Sequence, residues 1–201
     1  DSTESAVISN LQESPSSLSW SPNGKWLAFR MNVKSPIEAI VEPRSKPEGA
    51  EWAERPITIV NTRYQYDGQG IVDPAYRHVF IVSSDGGSVR QLTNGDFNHN
   101  GSLTWSLDSQ QVYFSAYRSN NWELVSNEAD IYSIDIETGE LDQITTQSGA
   151  ERSPTMSPNG KYIAFSSQER RPLAFTPKRI ALVETQNKEI RILSESLDGD
   201  A

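Results

Sequence analysis

The feature that most constrains this chain is an internal repeat. An eleven-residue segment occurs three times, as Ser19-Trp-Ser-Pro-Asn-Gly-Lys-Trp-Leu-Ala-Phe29, Thr104-Trp-Ser-Leu-Asp-Ser-Gln-Gln-Val-Tyr-Phe114 and Thr155-Met-Ser-Pro-Asn-Gly-Lys-Tyr-Ile-Ala-Phe165. A second segment of sixteen residues follows each copy, at 78–93, 130–145 and 179–194. Self-similarity of this kind indicates a fold assembled from repeated supersecondary units.

The local chemistry of each unit predicts β structure. In the Ser-Pro-Asn-Gly turns, Pro22 presets φ at the second turn position and Gly24 supplies a positive φ. The runs that follow are short, apolar and aromatic, as buried strands are. The second segment reads as another hairpin. In its third copy Asn187 stands at the glycine position, and Asn tolerates the left-handed region. Each unit is therefore predicted to be four antiparallel strands, A to D. We expect an all-β fold of propeller blades, with about three blades present as a partial propeller.

The spacing predicts the boundaries of the blades. Blade 1 covers about 16–93, blade 2 about 103–145 and blade 3 about 154–194. Ser106 and Asp130 are 24 residues apart, but Ser21 and His78 are 57 apart. Blade 1 is thus expected to carry an insertion of about 33 residues between strands B and C, within 31–76. In 201 residues, three blades are too few for a closed ring, so the chain is expected to be a fragment of a larger propeller.

Strand topology predicts where binding residues lie. The A–B and C–D turns are tight, whereas the long connections 31–76, 94–103, 115–129 and 167–178 all belong at the opposite end. Functional side chains usually lie on loops over a rigid scaffold. The alternative is that the aromatic residues only fix the insertion in place. The candidates for substrate gating or a domain interface are Trp52, Tyr64, Tyr66, Arg118, Trp122, Arg170 and Arg171.

Charge and composition exclude several classes of protein. With 18 Lys and Arg against 27 Asp and Glu, the net charge of −9 argues against nucleic-acid or anionic-membrane partners. There is no cysteine and there are only two histidines, so disulfides, thiol catalysis and a His-based metal site are not expected, and no cofactor is predicted.

The segment 96–101 matches half of a calcium loop, through Asp96, Asn98 and Asn100. The favoured interpretation is an ordinary polar loop, because the position of the bidentate Glu is Leu107.

Structural roles are predicted for the remaining conspicuous residues. His78 is expected at a strand edge, bonded to a backbone group, and His99 in a polar loop exposed to solvent. The acidic residues of 123–130 are expected to be solvated. The repeat-position tryptophans are expected to pack in the core or between blades, and they are Trp20, Trp26 and Trp105.

The repeat resembles that of TolB-like propellers and of S9-family (prolyl oligopeptidase) serine peptidases. The order of further segments is similar to the N-terminal propeller of bacterial S9 peptidases of the acylaminoacyl-peptidase type, over roughly 16–200. These segments are Trp52-Ala-Glu-Arg-Pro56, Arg63-Tyr-Gln-Tyr-Asp-Gly-Gln-Gly70, Tyr76-Arg-His-Val-Phe80, Arg90-Gln-Leu-Thr-Asn-Gly-Asp-Phe97 and Phe114-Ser-Ala-Tyr-Arg118. Unit two departs from the repeat, with Leu107 and Ser109 in place of Pro and Gly.

The resemblance implies that catalysis belongs to a C-terminal α/β-hydrolase domain with a Ser-Asp-His triad and a Gly-x-Ser-x-Gly elbow. No such elbow occurs here, so no catalytic residue is expected and the chain alone should lack peptidase activity. The implied partners are that hydrolase domain and a peptide substrate, whose access the propeller would gate. The alternatives are a TolB-like protein-binding propeller and a half-ring that dimerises, and the open blade edges predict self-association.

Overall fold

Three four-stranded antiparallel sheets make up most of the part of the chain that the structure describes. The computed structural model describes residues 7–37, 45–51, 57–171 and 176–196. Blade 1 has the strand order β1 (Ser16–Trp20), β2 (Trp26–Lys34), β5 (Ala75–Ser83) and β6 (Arg90–Gln91). Blade 2 consists of β7 (His99–Trp105), β8 (Gln111–Ala116), β9 (Asp130–Asp135) and β10 (Leu141–Gln143). Blade 3 consists of β11 (Gly149–Met156), β12 (Tyr162–Glu169), β13 (Arg179–Glu184) and β14 (Ile190–Ile192).

The all-β fold class is confirmed, and the blades are those of a partial propeller. Between β2 and β5, the connection 35–74 contains a two-stranded ribbon, β3 (Gln65–Tyr66) and β4 (Gly70–Ile71). In the described ranges no helix is long and apolar enough to cross a membrane.

The A–B turns follow the chemistry that the repeat predicts. In blade 1 the Ser21 hydroxyl accepts from the Trp26 amide at 2.9 Å and donates to Asn23 Oδ1 at 2.8 Å. Gly24 has φ +70°. In blade 2 Ser109 stands at the glycine position and adopts the same left-handed conformation, with φ +62°. Its buried hydroxyl accepts from the Asn23 amide at 3.1 Å, which ties the turn of blade 2 to that of blade 1.

Apolar side chains pack between successive blades. Ile81 and Val79 of blade 1 pack against Phe114 and Trp105 of blade 2. A second cluster joins blades 2 and 3 through residues that include Ile131, Ile163 and Phe165. Each blade thus buries one sheet face against its neighbour, as expected for stacked repeats.

The repeat-position tryptophans differ in burial. Trp105 is 3% exposed, and its indole N–H donates to the Ser19 carbonyl of blade 1 at 3.0 Å. Trp26 is partly buried against the core between blades 1 and 2. The prediction for Trp20 is wrong, because this side chain is 58% exposed. Among the described residues there is no blade on that side of blade 1 to cover it.

Candidate functional site

The long connections gather at one end of the blades, where the insertion lies against the loop of blade 2 that spans 117–129. The Thr62 amide donates to Glu123 Oε2 at 3.1 Å. The rings of Tyr76 and Trp122 meet edge to face, with centroids 6.0 Å apart, and the Tyr76 hydroxyl accepts from Asn61 Nδ2 at 3.4 Å. The insertion is therefore fixed to the scaffold by blade 1 on one side and blade 2 on the other.

An apolar pocket of about 480 Å³ lies between the insertion and this loop. Its walls include Ile59, Tyr64, Tyr66, Tyr76 and Trp122. A pocket of this size is within the range that binds small ligands or side chains. We call it the apolar pocket.

A smaller polar cavity of about 180 Å³ adjoins the apolar pocket. Arg63, Asn98 and Trp122 line both spaces. Arg152 of β11 and Glu128 also line the polar cavity. We call it the arginine cavity.

The two histidines lie inside the structure between blades 1 and 2. The prediction that His99 is exposed is wrong: it belongs to β7 and is fully buried. Its Nδ1–H donates to the Arg77 carbonyl at 2.8 Å, and its Nε2 accepts from Arg118 Nη1 at 2.7 Å. Burial lowers the pKa of His99 to about 3, and the charges of His78 and Arg118 act in the same direction. His99 is thus a neutral residue that joins the two blades.

His78 also has a structural role, but it is buried rather than edge-exposed, at 4% exposure. Its Nδ1 lies 3.3 Å from the Thr93 hydroxyl, which also accepts from the Val79 amide at 2.9 Å. Burial lowers the pKa of His78 as well. The partner of His78 is therefore the Thr93 side chain, which also accepts from the strand backbone, and not a backbone group.

Arg118 is fixed in place by internal contacts. Besides His99, it donates to the Asn94 carbonyl at 3.2 Å, and its guanidinium lies 4.8 Å from the centre of the Phe97 ring. Burial lowers its pKa. These contacts shape the 94–98 connection and leave the gating role of Arg118 a prediction.

The other candidates fall into two groups. Tyr64, Tyr66 and Trp122 meet around the apolar pocket. Arg170 pairs with Glu128 at 3.2 Å, whereas Arg171 pairs with Glu169 at 2.8 Å beside a different cavity on blade 3. Trp52 lies outside the described residues.

The predicted half calcium loop places its amide oxygens on an arginine. Asn98 Oδ1 accepts from the Arg77 amide at 3.0 Å, and Asn100 Oδ1 accepts from the Arg77 guanidinium at 3.0 Å. Asp96 lines a space beside Phe97. Within the described ranges, no group of three or more His, Cys, Asp or Glu side chains is placed to hold a metal ion. The amide oxygens of Asn98 and Asn100 are thus engaged by Arg77, and the calcium alternative stays a prediction.

Glu128 and Asp130 lie with Glu151 where blades 2 and 3 join. The prediction that the acidic residues of 123–130 are solvated is therefore wrong for Glu128 and Asp130, which are largely or partly buried. Ala129 and Ala150 form a parallel bridge there, flanked by Glu128, Asp130 and Glu151. Burial, and then Glu128, raises the pKa of Asp130 to about 6. Burial raises the pKa of Glu151 to about 7. Glu151 is 1% exposed, and neither of its carboxylate oxygens accepts a well-formed hydrogen bond, although the nearby Thr145 hydroxyl partly offsets the burial.

Sequence reasoning missed three of these residues. Arg63 had a usable signal, because it immediately precedes Tyr64 in a segment already singled out. Arg152 and Glu151 had none, because their environment is created by the packing of blade 3 on blade 2.

Comparison with known proteins places the chain in a family. Residues 55–171 match the family described as the dipeptidyl peptidase IV (DPP IV) N-terminal region. An uncharacterized peptidase of Bacillus subtilis, YuxL, is 27% identical over 118 residues, which are 57% of this chain and 17% of that protein.

Two solved structures have a similar fold. The acylaminoacyl peptidase of Pyrococcus horikoshii superimposes with a TM-score of 0.63 at 12% identity, over 95% of this chain and 27% of that one. TolB of Acinetobacter baumannii superimposes with a TM-score of 0.52 at 18% identity, over 91% of this chain and 32% of that one. The chain thus spans less than a third of the length of each of these three proteins. Because the family match covers more than half of its residues, the chain belongs to the dipeptidyl peptidase IV N-terminal region family, the propeller region of S9-type peptidases.

Proposed function

We propose that the loop-bearing end of this chain contacts the hydrolase domain of an S9-type serine peptidase and gates the access of peptides to it. The observation that carries the proposal is an unusual concentration of exposed apolar side chains on the insertion. Their exposed fractions run from 38% to 66%, and they are Ile57, Ile59, Val60, Tyr64, Tyr66 and Ile71.

Exposed apolar groups gathered in one region are typical of interaction surfaces. Here they belong to a segment fixed by Tyr76 and Glu123, so the surface is presented on a rigid support. At the opposite end, the large exposed hydrophobic residues are Leu107 in the A–B turn of blade 2, at 48%, and Trp20 directly before the A–B turn of blade 1, at 58%. This asymmetry supports the insertion, and not the end that carries the tight turns, as the contact with a second domain.

The experiment begins with the coding sequence downstream, where a Gly-x-Ser-x-Gly elbow is expected. In the full-length protein, Ile59→Asp should lower kcat/KM for a short chromogenic peptide by about tenfold, because a charge then lies in an apolar contact. The matched control Leu107→Asp, at the opposite end, should leave it unchanged. The full-length protein should cleave the short peptide and spare a folded protein that contains the same sequence, while the 201-residue chain alone should cleave neither. Equal kinetics for Ile59→Asp and the parent would contradict the contact.

A second candidate is a TolB-like propeller that binds proteins without catalysis. The similarity to TolB structures in fold favours it. Further blades followed by a stop codon, with no elbow and no peptide hydrolysis, would establish this alternative.

A further inference from the structure

We propose that the arginine cavity binds the carboxylate of a peptide through Arg63 and Arg152, with the neighbouring side chain of that peptide in the apolar pocket. The proposal rests on the proposed function, since it assumes that this end of the propeller meets peptides. The positive charge of this cavity comes from Arg63 and Arg152, which are not among the candidates predicted from the sequence.

The cavity holds two cations without counter-ions. Ion pairs in the described part of the chain involve Arg170, Arg171 and Lys188, and neither Arg63 nor Arg152. Arg152 is half-buried on β11, and burial is the cause that lowers its pKa. A desolvated guanidinium with no anion is unfavourable, so the site gains free energy when an anion arrives. Guanidinium groups also match the planar, two-oxygen geometry of a carboxylate.

Arg77 orients the neutral donors of the cavity. Because Asn98 Oδ1 already accepts from the Arg77 amide, the Asn98 NH2 group is left to donate to a ligand. Asn100 Oδ1 accepts from the Arg77 guanidinium and its NH2 group donates to the Asn98 carbonyl at 3.5 Å, so Asn100 is fully engaged, and Arg77 adds a positive charge behind the cavity wall. The set of donors therefore favours an anion over a cation.

One carboxylate also lines the cavity, and it is already engaged. Glu128 Oε2 accepts from the Gly149 amide at 3.0 Å, and Oε1 accepts from Arg170 at 3.2 Å. Its side chain is only 10% exposed. Glu128 therefore faces its own partners and leaves Arg63 and Arg152 for a ligand.

The apolar pocket defines the remainder of the ligand. Arg63, Asn98 and Trp122 line both this pocket and the arginine cavity, so the two spaces adjoin and one ligand can extend from one into the other. The volume of about 180 Å³ accommodates a carboxylate with some water, and about 480 Å³ accommodates a large apolar side chain. This matches a peptide with an apolar residue beside a carboxylate, which is either its C-terminus or an acidic side chain.

Isothermal titration of the 201-residue chain with three peptides distinguishes these sources. The peptides are Ala-Ala-Phe with a free carboxylate, the same peptide amidated, and amidated Ala-Glu-Phe. If the C-terminus is bound, only the first binds tightly; if an acidic side chain is bound, the third does. In either case we expect the amidated neutral peptide to bind at least about tenfold more weakly, since a charge-assisted hydrogen bond is lost. Equal affinity for all three, or no binding at millimolar concentration, overturns the proposal.

Variants test the two arginines separately. Arg63→Gln, at an exposed position, and Arg152→Gln should each weaken binding of the carboxylate peptide about tenfold, while the exposed Arg191→Gln on β14 should not change it. Arg152→Lys should restore part of the affinity.

Arg152→Gln should keep or raise the Tm, because it removes a half-buried charge that has no counter-ion. A lower Tm with unchanged affinity would show that Arg152 is only structural and would overturn its assignment. Ile59 also lines the apolar pocket, so the two proposals are distinguished by their readouts. Carboxylate binding is measured on the 201-residue chain without a hydrolase domain, and the domain contact by the kinetics of the full-length protein.

Discussion

At the scale of single residues, the most unusual group is the Glu151 carboxyl. It is buried at the joint between blades 2 and 3 with Glu128 and Asp130 nearby, and burial raises its pKa from 4.5 to about 7. The charged groups on the neighbouring elements are Glu128, just before β9, and Asp130, the first residue of β9. Arg152 on β11 and Arg170 just after β12 are the nearby cations. A group whose pKa is raised on folding stabilises the native state as the pH falls, because the folded state then holds the proton more tightly.

We expect Glu151→Gln to increase the free energy of unfolding by about 3 kcal/mol at about pH 8, where the parent must hold a buried charge. The gain should shrink as the pH falls through about 7 towards 4.5, and vanish below that, because the parent is then protonated. Urea unfolding of both proteins across this range measures the difference. Glu140→Gln, in an exposed turn, is the control, and a gain that does not depend on pH would contradict the explanation.

His99 has the opposite pH dependence. Its pKa is lowered on folding from 6.5 to about 3, so its contribution to stability is complete above pH 6.5 and is lost as the pH falls towards 3. By about pH 5 the loss should reach about 2 kcal/mol. The effect is best measured in the Glu151→Gln background, where the two groups no longer offset each other. There, His99→Gln should remove the loss of about 2 kcal/mol between pH 7 and 5 that comes from His99. Asp130 still titrates with a pKa of about 6 and acts in the opposite direction, so the unfolding free energy of this variant should rise as the pH falls through that range, and an unchanged slope would refute the assignment.

The environments of His99 and Glu151 were not predictable from the sequence. Both are polar residues in strands, and their burial arises from contacts between blades that no local pattern encodes. Ser109 differs: it was identified only as a departure from the repeat, yet it has the positive φ of the glycine that it replaces. The positions of the turns follow from the local sequence, whereas the burial of polar residues between blades does not.

At the scale of elements, the first strand of each blade, which lies at one edge of its sheet, carries an irregularity. β1, β7 and β11 each lose register with the adjacent strand, and positive φ angles occur at Ser17, Gly101 and Ser153. The bends bring side-chain hydroxyls to neighbouring blades. Ser17 donates to the Gly101 carbonyl at 3.4 Å, and Ser102 donates to the Pro154 carbonyl at 3.2 Å. The bulges therefore link the first strands of neighbouring blades through polar contacts.

Gly149 determines how β11 begins. It has φ +131°, and a Cβ there would lie 2.2 Å from the Gln168 carbonyl oxygen and 2.9 Å from the Arg170 amide. Both atoms are backbone of the neighbouring strand and loop, so they cannot rotate away. Gly149→Ala should lower the unfolding free energy by about 3 kcal/mol, in contrast to about 1 kcal/mol for Gly139→Ala, where only φ is strained and nothing lies within 4 Å. Thermal or urea unfolding of the two variants tests this, and equal losses would contradict the close approach.

The strands were more predictable than the insertion. Apolar runs such as Tyr162-Ile-Ala-Phe165 and the turn residues between them predict the strands of each blade, because the repeat supplies the pattern three times. The insertion occurs once, so no second copy indicates its ribbon or the contact of Tyr76 with Trp122. That contact is set by tertiary packing, and it builds one wall of the apolar pocket.

At the scale of the whole molecule, the two outermost blade faces differ. The outer face of blade 1 holds a cluster that includes Phe29 and Phe80, and Ile8 and Leu11 of the preceding segment cover it. The outer face of blade 3 has Ile180, at 45% exposure, beside Leu193, at 50%. The Leu193 amide donates to the Ile180 carbonyl at 2.8 Å, so these side chains are neighbours on one face. Blade 3 therefore presents the more open apolar face.

We expect the chain to self-associate through this face of blade 3, because exposed apolar sheet faces of repeat proteins are stabilised by a neighbour. Sedimentation velocity over a range of concentrations should show a shift from monomer to dimer or larger species. Replacing both residues, Ile180→Thr with Leu193→Thr, should weaken the association about tenfold or more, since two large apolar contacts are removed from its centre. The control Leu124→Thr changes a residue that is 77% exposed on the loop-bearing end, and it should have no effect on association. A parent chain that stays monomeric at every concentration, or a dimer that Leu124→Thr weakens as much as the double variant does, would show that the open face of blade 3 is not the contact.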